Sequence, residues 1–85
     1  MKAIFVSVKC DLGQAYKVAE QAVETVPEVS EVFSVSGQYD LLMKCYLADD
    51  ADIGHFVIER LQRLHGVKDT FTTVAYKAFS QVKTS

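Results

Sequence analysis

The sequence lacks a long apolar run, a cysteine pair at metal or disulfide spacing, and any excess of basic charge. Each absence removes a class of function. Its apolar stretches are short, Ala3–Val6 being typical, so none reaches the roughly 20 residues a helix needs to cross a bilayer. Lys2, Lys9 and Asp11 interrupt the start too early for the apolar core of a signal peptide, and the chain reads as mature, cytoplasmic protein. Cys10 and Cys45 lie 35 residues apart, with no CxxC and no nearby His pair. Neither a disulfide framework nor a zinc site is expected; the two read as reduced, buried or half-buried thiols. Nine Lys and Arg stand against eleven Asp and Glu, a net charge of −2, and the basic residues are scattered. Direct nucleic-acid binding, which draws its affinity from neutralised phosphates, is therefore not expected. No metal or cofactor is expected either.

What is present is one small domain, residues 1–85, at 49% apolar and 24% charged, too hydrophobic to remain disordered. Ala3–Val8 is β-branched and apolar enough for a strand, and Asp11 and Gly13 break it, with Asp11 a candidate helix cap. Ala15, Val18, Ala19, Ala22, Val23 and Val26 follow at helical spacing until Pro27 ends the helix. Val29–Ser36 reads as a strand, Gly37–Asp40 as a turn, and Leu41–Leu47 as a third strand. Asp49, Asp50 and Asp52 suit the start of a second helix carrying Ile53, Phe56, Val57, Leu61 and Leu64, which His65 and Gly66 end. A fourth strand runs from Val67 to about Tyr76, with a short fifth expected over Ala78–Val82.

An offset of 38 residues superposes the halves, taking Ile4 to Leu42, Ala15 to Ile53, Ala19 to Val57, Val23 to Leu61, Val26 to Leu64, Val29 to Val67 and Phe33 to Phe71. Two strand-helix-strand units joined by a hairpin predict an α+β, ferredoxin-like βαββαβ sandwich. Right-handed crossovers would put both helices on one face of a four-stranded antiparallel sheet. The strands do not alternate cleanly. Ile4-Phe5-Val6, Leu41-Leu42-Met43 and Val32-Phe33 place apolar groups on both faces, and two helices cover only one. Hiding about 400 Å² of the other face gives roughly 10 kcal/mol of gross stabilisation. The expectation is an obligate dimer with its sheets packed face to face, a dimeric α+β barrel.

Two groups of residues are candidates for a site. In Ser36-Gly37-Gln38-Tyr39-Asp40, glycine lets a carboxylate approach the backbone, Asp40 suits an ammonium group, and Tyr39 suits an apolar wall. Together they fit a free amino acid, although turn geometry alone also asks for Gly and Asp. Thr70 and Thr72, two apart on a strand, project from one face and would orient a small polar ligand, or serve simply as strand residues. His55 and His65 read as solvated or capping side chains, and no catalytic constellation is proposed.

Val35-Ser36-Gly37-Gln38-Tyr39-Asp40-Leu41-Leu42, then Leu64-His65-Gly66-Val67 and Thr70-Phe71-Thr72, resembles the effector domain of the Lrp/AsnC regulators, called RAM. The likeness runs from the first strand to Lys77. Ser36 stands where the family commonly has threonine, and His65 where it has proline. The resemblance implies a domain that dimerises and assembles further, often to octamers, and that binds amino-acid effectors where dimers meet. It implies ligand contacts from Gly37, Gln38, Tyr39 and Asp40, with Thr70 and Thr72 facing the ligand. The family's usual helix-turn-helix has no room in this chain, which resembles the stand-alone effector-domain members. Such a protein would be a non-enzymatic regulator that modulates amino-acid-responsive transcription by assembling with itself or with a DNA-binding Lrp/AsnC relative.

Two other readings share this order of elements. A dimeric α+β barrel enzyme, such as a cofactor-independent monooxygenase, would need an acid/base pair, for which His55, Tyr76 and Asp40 are the few candidates. An RNA-recognition module would need exposed aromatics and basic residues on its central strands, where Leu41–Leu47 offers only Tyr46.

Overall fold

The computed structural model describes residues 1–81. Its elements are β1 (Lys2–Cys10), α1 (Ala15–Thr25), β2 (Val29–Ser34), β3 (Leu41–Leu47), a short α2 (Ile53–Phe56) running on into a π-helical turn (Val57–Leu61), and β4 (Val67–Ala75). Every strand pair is antiparallel, and the sheet order is β2-β3-β1-β4. This is the ferredoxin-like βαββαβ arrangement. Residues 78–81 form no strand, and Val82, the last residue of the expected fifth strand, lies outside the described residues.

The core follows from strict alternation. Ile4, Val6, Val8 and Cys10 point from β1 toward the helices, beside Leu41, Met43, Cys45 and Leu47 of β3. Val18 and Ala22 of α1 cover them, with Phe56, Val57, Leu61 and Leu64 from the second helical segment. Pro27 acts as expected: Val26 before it is extended, at φ −115° and ψ 99°, which stops α1.

Helix ends differ from expectation at one end and agree at another. Asp11 does not cap α1; Gln14 holds the cap position without a side-chain bond. Asp11 acts through its backbone, its carbonyl accepting from Gln14 N–H at 3.0 Å and its N–H donating to Gly66 O at 2.8 Å. Asp52 does cap α2, accepting from His55 N–H at 3.0 Å.

The second helix is not the continuous α-helix that its apolar spacing predicts. Beyond Phe56 it widens, and Gln62 N–H bonds to Val57 O at 2.8 Å, five residues back. From the end of this turn the Gln62 amide donates to Thr70 Oγ1 at 2.9 Å. Arg60 reaches Thr25 O at 3.1 Å, closing the end of α1.

The expected barrel is corrected. The sheet is open, with β2 and β4 as separate edges, and it is not closed into a barrel. At about 4.8 Å per strand spacing those edges lie roughly 14 Å apart, too far to hydrogen-bond. The apolar residues behind that expectation sit on the open face among polar neighbours. Phe5 and Ser7 of β1 pair with Thr73 and Phe71 of β4 and with Lys44 and Leu42 of β3. The 38-residue offset also overstates the internal repeat. It matches buried Ile4 with Leu42 on the open face, and Val23, 54% exposed, with fully buried Leu61. Phe33 and Phe71, matched as core, are both exposed.

Candidate functional site

The hairpin between β2 and β3 is closed by Val35 N–H donating to Asp40 O at 3.0 Å. Gly37 takes φ +107°, and a Cβ there would meet nothing within 4 Å, so the turn tip stands open to solvent. Gln38 is exposed beside it. Tyr39 and Asp40 turn to different neighbours. The Tyr39 ring lies against Phe71 of β4, with centroids 6.3 Å apart and planes inclined by 30°. Asp40 turns toward the end of β1: its N–H donates to Val8 O at 2.9 Å, and its Oδ2 accepts from Cys10 N–H at 2.8 Å. Lys9 Nζ stands 4.0 Å from the same oxygen.

Thr70 and Thr72 do share a face, but it is not Phe71's. They pair with Val8 and Val6, whose side chains are buried toward the helices, whereas Phe71 pairs with Ser7 on the open side. Thr70 Oγ1 takes the Gln62 amide there. Within one chain, then, the structure brings Asp40 to β1 and Tyr39 to Phe71, and sets Thr70 and Thr72 on the other side of β4. His55 and His65 are exposed.

Residues the sequence did not single out join Asp40. A cleft of about 360 Å³ at the β1–α1 turn is lined by Asp40 together with Lys9, Cys10, Asp11, Gly13 and Lys68. Burial pushes the Cys10 thiol up, and the nearby carboxylates of Asp40 and then Asp11 add to it, so the thiol at this floor stays protonated. No signal in the sequence marks this group, because its members meet only through the pairing of β1 with β4 and the bond from Cys10 N–H to Asp40.

On the open face Phe33, Tyr46 and Phe71 are 45%, 38% and 58% exposed. Lys44 Nζ stands 5.4 Å from the centre of the Tyr46 ring. Among the described residues no helix is long and apolar enough to cross a membrane.

Compared with known proteins, residues 3–84 match the family described as the Lrp/AsnC ligand binding domain. An uncharacterised helix-turn-helix-type transcriptional regulator of Pyrococcus furiosus is 35% identical over 66 residues, which cover 78% of this chain and 44% of that one. The chain thus spans less than half the length of that relative. A homocitrate synthase of Sulfurisphaera tokodaii is 31% identical over 72 residues, 85% of this chain but 15% of the enzyme. Among solved structures, one from Thermus thermophilus superposes with a TM-score of 0.83 at 31% identity, covering 95% of this chain and 100% of that one. A transcriptional regulator from Neisseria meningitidis, in complex with L-Met, superposes with a TM-score of 0.80 at 26% identity, covering 94% of this chain and 53% of that one.

Proposed function

This chain belongs to the Lrp/AsnC ligand-binding-domain family, and on that premise we propose that it is an amino-acid-sensing regulatory domain that acts by assembling with other chains. The family is a ligand-binding domain of transcriptional regulators and not an enzyme family. The observation that carries the reading is the family match across residues 3–84. The regulator crystallised with L-Met supports an amino acid as the effector class.

The hairpin residues Gly37, Gln38, Tyr39 and Asp40 are the proposed effector contacts. Gly37 leaves the turn open, Asp40 offers a carboxylate to an ammonium group, and Tyr39 beside Phe71 offers an aromatic wall. Thr70 and Thr72 lie on the opposite side of β4 from Phe71. They belong to the same site only if a neighbouring copy supplies them.

Assembly is proposed as a homodimer building to a higher oligomer, an octamer being the expected size, or as a mixed assembly with a DNA-binding Lrp/AsnC relative. Exposed Phe33, Tyr46 and Phe71 supply apolar contact area. The domain itself has a net charge of −2 and leaves DNA contact to its partner. Light scattering with and without each of the twenty amino acids tests both parts. The expected result is an oligomer whose mass or thermal stability responds to at least one amino acid. A monomer indifferent to all twenty would overturn the proposal.

The similarity to part of a homocitrate synthase favours a second reading of the partner: the same sensing domain regulating an enzyme. Co-purification from the native source separates the two, by whether a helix-turn-helix protein or an enzyme comes with the chain.

A further inference from the structure

Helix α1 carries two apolar stripes, and the fold uses only one. Val18 and Ala22 are buried against the sheet, with Ala15 packed beside them. Tyr16, Ala19 and Val23, three and four residues apart, line an adjacent side of the same helix. Tyr16 and Val23 are 74% and 54% exposed, while Ala19 sits between them at the margin of the core. The second helical segment does not reach this side. That segment and the turn after it meet α1 on the opposite flank, where Gly66 lies against Gln14 and Val18 and Arg60 donates to Thr25 O at 3.1 Å.

The charges beside the exposed stripe form a pattern. Lys17, Glu20 and Glu24 occupy its solvent-side flank, are exposed, and make no ion pair among the described residues. The basic residue lies toward the N-terminal end of the helix and the acidic ones toward its C-terminal end. Such a flank complements itself when reversed. With a two-fold axis passing between Ala19 and Glu20, Tyr16 of one copy stands level with Val23 of the other. Lys17 then falls midway between Glu20 and Glu24 of the other copy, about 3 Å along the helix axis from each. Ala19, the smallest side chain of the stripe, lies at the crossing point and allows close approach. A helix of unrelated sequence has no reason to match this register, whereas a second copy matches it by symmetry.

We propose that α1 packs antiparallel against α1 of a second copy, through Tyr16, Ala19 and Val23, with Lys17 set between Glu20 and Glu24 across the contact. The proposal rests on the assembly reading above and supplies its second surface. Two apolar side chains and an alanine per copy cover far less than the roughly 800 Å² per partner of a stable interface. The α1 contact therefore joins units that the open sheet face has already paired, where several weak contacts act together. The open face and α1 lie on opposite sides of the sheet, so one subunit can use both at once. Hairpin residues 37–40 take no part in the contact.

Analytical ultracentrifugation of the full chain and of three charge variants tests this: Lys17→Glu, the pair Glu20→Lys with Glu24→Lys, and all three substitutions together. The unaltered chain is expected to exceed a dimer. Lys17→Glu and the Glu20→Lys/Glu24→Lys pair should each fall at least about twofold in mass, to a dimer, because like charges then face each other. The triple variant, which exchanges the signs, should regain the original mass, as should an equal mixture of the two charge variants. Tyr16→Ser with Val23→Ser keeps every charge and should give the same fall to a dimer. All these positions are exposed, so an unchanged far-UV spectrum will show that the fold survives. Original mass in the charge variants or in Tyr16→Ser/Val23→Ser, or no recovery in the triple variant, would overturn the α1 contact. So would an unaltered chain that stops at a dimer, and in each of these cases assembly through the open sheet face still stands. An unaltered chain that is a monomer would overturn both.

Discussion

Asp40 Oδ2 accepts a 2.8 Å hydrogen bond from the backbone N–H of Cys10, and so ties the β2–β3 hairpin to the end of β1. An aspartate that looks like a ligand-binding residue is therefore also a structural one, and the two roles must be separated. Hydrogen bonds to a charged acceptor contribute about 1.5–3 kcal/mol, less where water competes, as it does here. Asp40→Ala is expected to cost about 1–2 kcal/mol in urea unfolding, leaving the Cys10 N–H without its acceptor. Asp40→Asn keeps a carbonyl oxygen for that N–H and should cost less than half as much, while removing the charge an ammonium group needs. Equal destabilisation by the two substitutions would show that the hydrogen bond does not hold the hairpin.

Glycines at positive φ should separate by what surrounds them. Gly66 takes φ +97°, and a Cβ there would come within 3.0 Å of both Gln14 Cβ and Val18 Cγ2. Gly37 takes φ +107° with open space around it. An alanine at either position meets the strain of left-handed backbone, about 1 kcal/mol or somewhat more. At Gly66 it must also push α1 away from the second helical segment. Gly66→Ala is expected to lower stability by at least about 1 kcal/mol more than Gly37→Ala, read from chemical denaturation midpoints at constant m-value. A smaller effect at Gly66 would mean that α1 yields freely at Gln14 and Val18.

Much of this architecture was legible in the sequence, because strand limits and hydrophobic period are local properties. Leu41–Leu47 has the predicted bounds, and α1 stops where Pro27 requires. Contacts between distant segments were not legible. The spacing of Thr70 and Thr72 correctly places them on one face, but which face depends on their pairing with Val8 and Val6, more than 60 residues away. The apolar positions Ile53, Phe56, Val57 and Leu61 suit an α-helix, and nothing local announces the wider turn from Val57. Lys9 and Lys68 read as scattered charges until the ladder between β1 and β4 brings them to one cleft. The barrel expectation failed for a related reason: mixed apolar composition reveals that a face is greasy, but not whether strand edges meet.

Cys45 gives a pH dependence of known sign. Its thiol is buried, and that burial, with Glu28 nearby as the smaller cause, pushes its pKa from 9.0 up to about 12. Well below pH 9 the thiol is neutral in both folded and unfolded chains and contributes no pH dependence. Between pH 9 and 12 the unfolded chain releases this proton while the folded chain retains it, so stability falls as pH rises. At pH 10 the loss is about 1.4 kcal/mol from this group. Cys10 acts in the same direction. The difference in unfolding free energy between pH 8 and pH 10 should therefore be smaller in Cys45→Ala than in the unaltered chain. Rapid alkylation of Cys45 in the folded protein at pH 8 would contradict a protonated, enclosed thiol.

The exposed face should report on assembly independently of any ligand. Phe33 and Phe71 lie on β2 and β4, the two edge strands, and both open on the side of the sheet away from the helices. Neither is in the buried core, so replacing them should leave the folded chain close to its original stability apart from the lost Tyr39 contact at Phe71. A carboxylate on each would meet water at no cost in a monomer and would be desolvated against apolar surface in an assembly. Phe33→Glu combined with Phe71→Glu is accordingly expected to lower the mass seen by light scattering, with the far-UV spectrum unchanged. If the double variant keeps the original mass at the same concentration, assembly uses another surface. The helix-side face of β4 is then the next to test, because Val74, opposite buried Ile4, is 42% exposed there.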